Sequence, residues 1–293
     1  MTKKDVDQHS GTETTGHEWD GIKELNTPLP RWWLWIFYAT IVWSLGYWVV
    51  MPSWPLLTDY TRGYFDHSQR ADVHAAVDAL KQGRSEMASK LTGWDPASGA
   101  KSPELLDFAL AMGKAAFGDN CATCHGQGAQ GASGYPNLND DVWLWGGTVA
   151  AIEQTLKVGI RSGHPESRSK EPSDQMPAYG RNALLDNAQI ADLTQLVLNL
   201  SGQKADMASV ERARQNFADQ CSVCHGAEGK GDRARGAPNL TDKEWLYGGS
   251  AEAISAQIVN GRGGVMPSWE GRLDAPTIRA LAVYVHALGG GEK

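Results

Sequence analysis

Phe117-Gly118-Asp119-Asn120-Cys121-Ala122-Thr123-Cys124-His125-Gly126 returns one hundred positions later as Phe217-Ala218-Asp219-Gln220-Cys221-Ser222-Val223-Cys224-His225-Gly226. These two runs use all four cysteines of the chain. Cys-x-x-Cys-His is a haem-attachment pattern. Two thiols about one helical turn apart can add to the two vinyl groups of a haem, which brings the next histidine under the iron. Other uses of paired cysteines fit less well. Redox disulfides seldom carry histidine at the following position and sit in a βαβ setting. Zinc ribbons space their Cys-x-x-Cys pairs by about 15–20 residues, far closer than here. A structural disulfide would be strained at two-residue spacing. The expectation is two covalently bound haem c groups, on Cys121/Cys124 and Cys221/Cys224, with His125 and His225 as axial ligands of iron.

Working outward, the repeat continues. Pro136-Asn137-Leu138 matches Pro238-Asn239-Leu240, and Trp143-Leu144-Trp145-Gly146-Gly147 matches Trp245-Leu246-Tyr247-Gly248-Gly249. Gly159-Ile160-Arg161 answers Gly261-Arg262, and Met176-Pro177-Ala178-Tyr179 answers Met266-Pro267-Ser268-Trp269. The first copy carries an insertion between Arg161 and Met176, rich in Ser, Glu, Lys and Pro, which reads as a solvated loop. Helical spacing frames each copy: Leu105, Phe108, Ala109, Met112 and Ala116 before the first motif, and Ile190, Leu193, Leu196, Val197 and Leu200 after Met176. Ile278, Leu281, Ala282, Val285 and Leu288 do the same at the chain's end.

The sixth iron ligand is expected from the later part of each copy. Methionine is a common axial ligand and raises the potential. Met176 for the first haem and Met266 for the second stand at equivalent positions, each followed by proline. Met112 and Met207 lie on helical stretches, where packing accounts for them. His164, inside the insertion, is the rival for the first haem. With both axial positions filled, the chemistry is outer-sphere electron transfer, and no catalytic residue is expected. Arg161 and Arg262 are candidates to neutralise haem propionates. Trp143, Trp145, Trp245 and Tyr247 are candidates to wall the pockets.

Upstream, Trp32 to Thr58 carries no charge, and Trp32–Met51 supplies the 20 apolar residues that a membrane span needs. Trp32, Trp33 and Trp35 at one end and Trp48 and Trp54 at the other make an interfacial aromatic belt. Pro52 and Pro55 end the helix. No small-residue cleavage site follows, so the segment reads as an uncleaved anchor. Basic residues flank both ends and leave orientation open. Attachment of haem outside the cytoplasm sets it instead: residues 1–31 cytoplasmic, the remainder beyond the span periplasmic, in a bacterial inner membrane. Ser68–Leu91 is expected as an amphipathic helix through Val73, Val77 and Leu80, and Gly93–Pro103 as a loop. A net charge of −7 speaks against nucleic acid.

Each copy resembles a class I cytochrome c domain. The Phe117 and Phe217 helices, the Cys-x-x-Cys-His turns, the Met-Pro segments and the closing helix with Leu281, Tyr284 and Val285 carry the likeness. The copies differ from each other in Leu196 against Tyr284 and in Gly113 against Ala213. More specific is His17-Glu18-Trp19-Asp20-Gly21-Ile22, then Glu24-Leu25-Asn26-x-Pro28-Leu29-Pro30-Arg31-Trp32-Trp33, ahead of one span and two haem motifs. This arrangement resembles the dihaem CcoP or FixP subunit of cbb3-type cytochrome c oxidases. The resemblance implies a non-catalytic electron-entry subunit of aerobic respiration. Its partners would be a haem–copper catalytic subunit and a monohaem cytochrome c subunit. It would take electrons from a soluble or membrane-bound cytochrome c, while oxygen reduction and proton pumping occur in another chain. The competing readings are a free-standing dihaem carrier, a dihaem peroxidase with a displaceable ligand, and a redox sensor.

The expected fold is all-α. Residues 1–31 precede a span at 32–54, 55–102 form a linker with the amphipathic helix, and two tandem cytochrome c domains follow at 103–203 and 204–293.

Overall fold

The computed structural model describes residues 5–94, 102–170 and 174–292. Most of the loop expected at Gly93–Pro103 lies outside them. The chain divides into two compact units, Met1–Gln82 and Gly83–Lys293.

The first unit opens with an antiparallel pair, β1 (Thr14–Trp19) and β2 (Ile22–Leu25), which pairs Trp19 with Ile22 and Glu18 with Lys23. Asp20 and Gly21 both take positive φ, as a two-residue hairpin turn requires. This hairpin is the one small addition to the helical fold. Helix α1 (Arg31–Val50) follows Pro30 and stops at Met51, where the backbone turns extended before Pro52. Its 20 residues are about 30 Å long, and none is buried although its mean hydropathy reaches 1.4. A helix apolar on every side and uncovered by protein is suited to lipid. Helix α2 (Gln69–Leu91) matches its expected span, but Val73, Val77 and Leu80 are exposed.

The second unit holds both repeats. Helix α3 (Pro103–Asn120) begins on a Ser102 cap with Pro103 in its first turn. The short turn α4 (Ala122–His125) carries the first motif, and α5 (Val149–Val158) starts on Thr148. Helix α6 (Asn187–Leu200) opens with an Asp186/Gln189 capping box. After α7 (Met207–Gln220) come α8 (Ser222–His225), α9 (Ala251–Asn260) and α10 (Ala275–His286), which repeat α4, α5 and α6.

The packing follows another order than the sequence repeat. Helix α10 packs on α3 and α5, whereas α6 packs on α7 and α9. One core joins Leu105, Phe117 and Ile152 to Ile278, Leu281 and Val285. The other joins Ile190, Leu193 and Val197 to Val210, Phe217 and Ile254. The domains expected at 103–203 and 204–293 therefore do not close on themselves. Residues 103–161 close with 266–288, and the continuous stretch 176–260 forms the second core in permuted order. The connection of α6 to α7 is part of the reason: only residues 201–206 separate them, which favours packing the two as neighbours. Gly113 allows the α3–α10 crossing, because any side chain there would run into the Ala280 carbonyl and Tyr284 Cβ. Ala213, fully buried, takes the corresponding place on α7.

Candidate haem site

Each motif is shaped by a helix end. The Cys121 amide donates to the Phe117 carbonyl at 2.8 Å, ending α3, and the His125 amide donates to the Cys121 carbonyl at 2.9 Å, closing the next turn. Cys221 and His225 repeat both bonds at 2.9 Å. All four thiols are free. Burial, then the neighbouring Cys124, pushes the Cys121 thiol up to about 11, and burial with Cys224 does the same to Cys221. Redox-active cysteines are instead driven toward thiolate. Among the described residues no group of three or more His, Cys, Asp or Glu side chains is placed to hold a metal ion.

The histidines are oriented by carbonyls. His125 Nδ1 lies 3.0 Å from the Pro136 oxygen and His225 Nδ1 lies 2.9 Å from the Pro238 oxygen. A carbonyl only accepts, so Nδ1 carries the proton and Nε2 keeps a free lone pair. Burial lowers both imidazoles below their ordinary range, against the opposing carbonyl bond, and so favours the neutral ring. The repeated Pro-Asn-Leu thus has a stated job in holding the ring.

Each methionine packs in the core that holds the other copy's motif. Met266 packs in the core that contains Phe117, Cys121 and Trp143 of the first motif. Met176 packs in the core with Phe217, Cys221 and Trp245 of the second. Backbone bonds hold the exchange. Ile160 and Met266 trade amide and carbonyl at 2.9 and 3.0 Å, and Trp269 N donates to the Leu156 carbonyl at 2.9 Å. Tyr179 N and Arg181 N donate to the Ile258 and Val259 carbonyls, each at 3.1 Å. The repeated glycines make this possible. A Cβ on Gly159 would lie 2.5 Å from the Met266 oxygen, and one on Gly261 would lie 2.7 Å from Ala178 N.

Other expected site residues divide. Trp143 and Trp245 lie in the two cores. Trp145 and Tyr247 reach instead to the loop after the opposite motif, against Gly236 and Gly134 respectively. Arg168 lies 5.3 Å above the Trp145 ring, whose buried N–H has no hydrogen-bond partner among the described residues. Arg161 donates to the Gly264 carbonyl and to Ser169 Oγ at 2.6 and 3.1 Å, bracing the Met266 segment, while Arg262 is exposed. His164 uses both ring nitrogens: Nδ1 accepts from the Glu166 amide at 3.0 Å, and Nε2 meets Glu270 at 3.1 Å. Tyr179 was not singled out by the sequence. Its hydroxyl donates to the Gln220 carbonyl at 2.7 Å, one residue before Cys221, and fastens the Met176 segment to the second motif. Burial, with the charges of Cys221 and Cys224, pushes this phenol up to about 12. Its place three residues after Met176, matching Trp269, was the available signal.

A paired thiol turn, an imidazole with Nε2 free and a thioether in the same apolar core form a donor set that fits haem c. Comparison with known proteins agrees. Residues 11–58 match the model of the N-terminal domain of cytochrome oxidase-cbb3, FixP; residues 110–201 match cytochrome c; residues 208–285 match cytochrome c oxidase, cbb3-type, subunit III. A cbb3-type cytochrome c oxidase subunit FixP of Bradyrhizobium sp. (strain ORS 278) is 52% identical over 98% of both chains. Subunit CcoP of Cereibacter sphaeroides is 46% identical over 100% of both, and that of Azospirillum brasilense is 45% identical over 100% of both. The chain belongs to the FixP/CcoP family of cbb3-type cytochrome c oxidase subunits. Membership makes it an electron-transport subunit of an oxidase, with cytochrome c domains that imply covalently bound haem c and a membrane anchor in α1.

Proposed function

We propose that this FixP/CcoP-family subunit holds two haem c groups, on Cys121/Cys124 and Cys221/Cys224, and relays electrons from a periplasmic cytochrome c toward the haem–copper subunit of the oxidase. The observation that carries the reading is the presence, in each core, of one oriented imidazole and one methionine. The ligand sets are crossed: His125 with Met266, and His225 with Met176. Bound haem supplies a one-electron iron couple. The chain's own residues do the rest. Pro136 and Pro238 fix the imidazole tautomer. The Gly159 and Gly261 contacts seat the methionine segments, and each methionine packs against an apolar core. With both axial positions filled, neither site offers substrate a place at iron, which favours relay over peroxidase chemistry. Residues 1–31 are on the cytoplasmic side and the haem-bearing unit is periplasmic. A monohaem cytochrome c subunit completes the partner set.

Purification from membranes in mild detergent tests this. The purified complex should contain haem b and copper, its denatured subunit should stain for covalent haem at two equivalents, and the native subunit separated from the complex and reduced should not bind carbon monoxide. A band without covalent haem sinks the proposal. A dihaem band that elutes alone would instead make it a free-standing carrier.

A further inference from the structure

The chain does not leave α1 directly. After Met51 it folds into a tight loop and returns to the helix end. Ser53 N donates to the Thr61 carbonyl at 3.3 Å, Thr61 N to the Trp54 carbonyl at 2.9 Å and Leu56 N to the Asp59 carbonyl at 2.6 Å. Tyr64 N then donates to the Val49 carbonyl and Phe65 N to the Val50 carbonyl, both at 3.0 Å. These bonds satisfy carbonyls that the last turn of a helix leaves open. Gly63, at φ +70°, brings the returning strand backbone-to-backbone against Val50. The loop is therefore fastened to the last residues of the apolar helix, not tethered at a distance from it.

Its side chains are apolar and uncovered. Leu57 is fully exposed, Tyr64 is 82% exposed, Phe65 65% and Leu56 60%, with Trp54 and Tyr60 also open. Trp48 in the last turns of α1 packs edge-on against Trp54 at 4.9 Å, which extends the helix's aromatic end onto the loop. Residues 51–66 hold three charges, and they answer one another: Arg62 stands 3.5 Å from Asp59 and 3.9 Å from Asp66.

We infer that residues 53–65 are an interfacial anchor that seats Leu56, Leu57, Tyr64 and Phe65 in the headgroup–acyl boundary of the leaflet at the C-terminal end of α1. The inference rests on α1 spanning the membrane. Lipid is the favoured occupant because the bonds to Val49 and Val50 hold the loop at the depth where a 20-residue span meets the headgroups. Mixed Trp, Tyr and Leu side chains partition there, and an exposed apolar patch of this kind is costly in water. Such a seat would fix the rotation and depth of the helix better than a single span can.

The test uses the full haem-loaded chain in nanodiscs of phosphatidylethanolamine and phosphatidylglycerol. Single substitutions Leu57→Cys and Tyr64→Cys receive a nitroxide label, with Val42→Cys in mid-α1 as the lipid reference and Lys204→Cys as the water reference. Wild type serves as the labelling blank. Relaxation by molecular oxygen, which favours lipid, is compared with relaxation by nickel(II) ethylenediaminediacetate, which stays in water. The oxygen-to-nickel ratio at 57 and 64 should rise severalfold above that at 204, toward that at 42. A ratio at 57 and 64 equal to that at 204 overturns the anchor. Shielding from both reagents also overturns it, in favour of a protein partner. A water-like ratio at 42 would show that the span itself had failed.

Discussion

Two cores in this molecule are made of the same parts in different chain orders. The second is continuous: 176–260 supplies the methionine segment, α6, α7, the motif and α9 in one run. The first is assembled from separated pieces, 103–161 and 266–288, with Leu91, Met87 and Trp94 added against it. The discontinuous core is also the more tightly tied. Ala280 to Val283 on α10 are fully buried. Arg279, 7% exposed, donates to the Trp94 carbonyl and pairs with Glu153 at 2.6 Å. The tail adds bonds between Gly147 and Glu292 at 2.7 and 3.0 Å. The comparison teaches where each pocket keeps its polar fasteners: the pocket closed by the chain's far end buries its Arg279–Glu153 pair, whereas the continuous one carries its Arg212–Asp192 pair, at 2.6 Å between α7 and α6, on the exposed side.

The largest effect should come from breaking the exchange. In a C221S/C224S background, which leaves one attachment site, Met266→Leu should open the sixth position of the haem on Cys121/Cys124. Carbon monoxide should then bind to nearly all of the reduced protein. Met176→Leu in that background should leave it closed. The reverse pattern would mean that each copy ligates its own haem. A stop after Gly261 should likewise strip the first site of its methionine and closing helix while the second keeps its ligand set, read as carbon monoxide binding to half the haem.

Arg279→Leu strikes the buried ion pair of the first core. Leaving Glu153 without this partner should cost roughly 3 kcal/mol, at the low end because Lys157 still pairs with it at 2.7 Å. Thermal loss of the first haem's methionine band, with the second unchanged, checks it. The same pair sets a pH dependence. Burial raises the Glu153 carboxyl, but hydrogen bonds from Lys157 and Arg279 outweigh it and hold the group below 4.5. Its contribution is thus present above pH 4.5 and is lost as pH falls through the lowered value. Arg279→Leu should therefore flatten the acid dependence of the first core's stability and leave that of the second unchanged.

Gly113→Ala should cost the first core about 1–3 kcal/mol by overpacking against α10. The exchange Ala213→Gly should cost the second only about 0.5–1 kcal/mol. Denaturant melts followed at each methionine band separate the two. An effect of similar small size belongs to Tyr179→Phe. It leaves the Gln220 carbonyl short of a donor for about 1 kcal/mol and should loosen Met176 without touching Met266.

Much of this was legible in the chain. The Cys-x-x-Cys-His runs marked the two turns at the ends of α3 and α7, but that the Pro-Asn-Leu repeat offers each imidazole a carbonyl was visible only in the structure. Trp32–Met51 marked α1 to within a few residues, because an apolar helix of that length has one comfortable solvent. Asp20-Gly21 named a turn that was not read as one. Val73, Val77 and Leu80 marked a helix whose expected apolar face is exposed. Periodicity reports which residues share a face and says nothing of what covers it.

Local chemistry is written in short stretches: a thiol pair next to a histidine, a cap before a helix, twenty residues without charge. Those determined the helices, the haem motifs and the span from sequence alone. Which methionine packs in which core is another kind of fact. The two Met-Pro segments and the two closing helices stand at equivalent places in the repeat and share its apolar spacing, so by that pattern either copy could close either pocket. Tertiary packing decided between them, through the six residues linking α6 to α7 and the close fit of Gly113 under α10. Those constraints exist only once the chain has been folded back on itself.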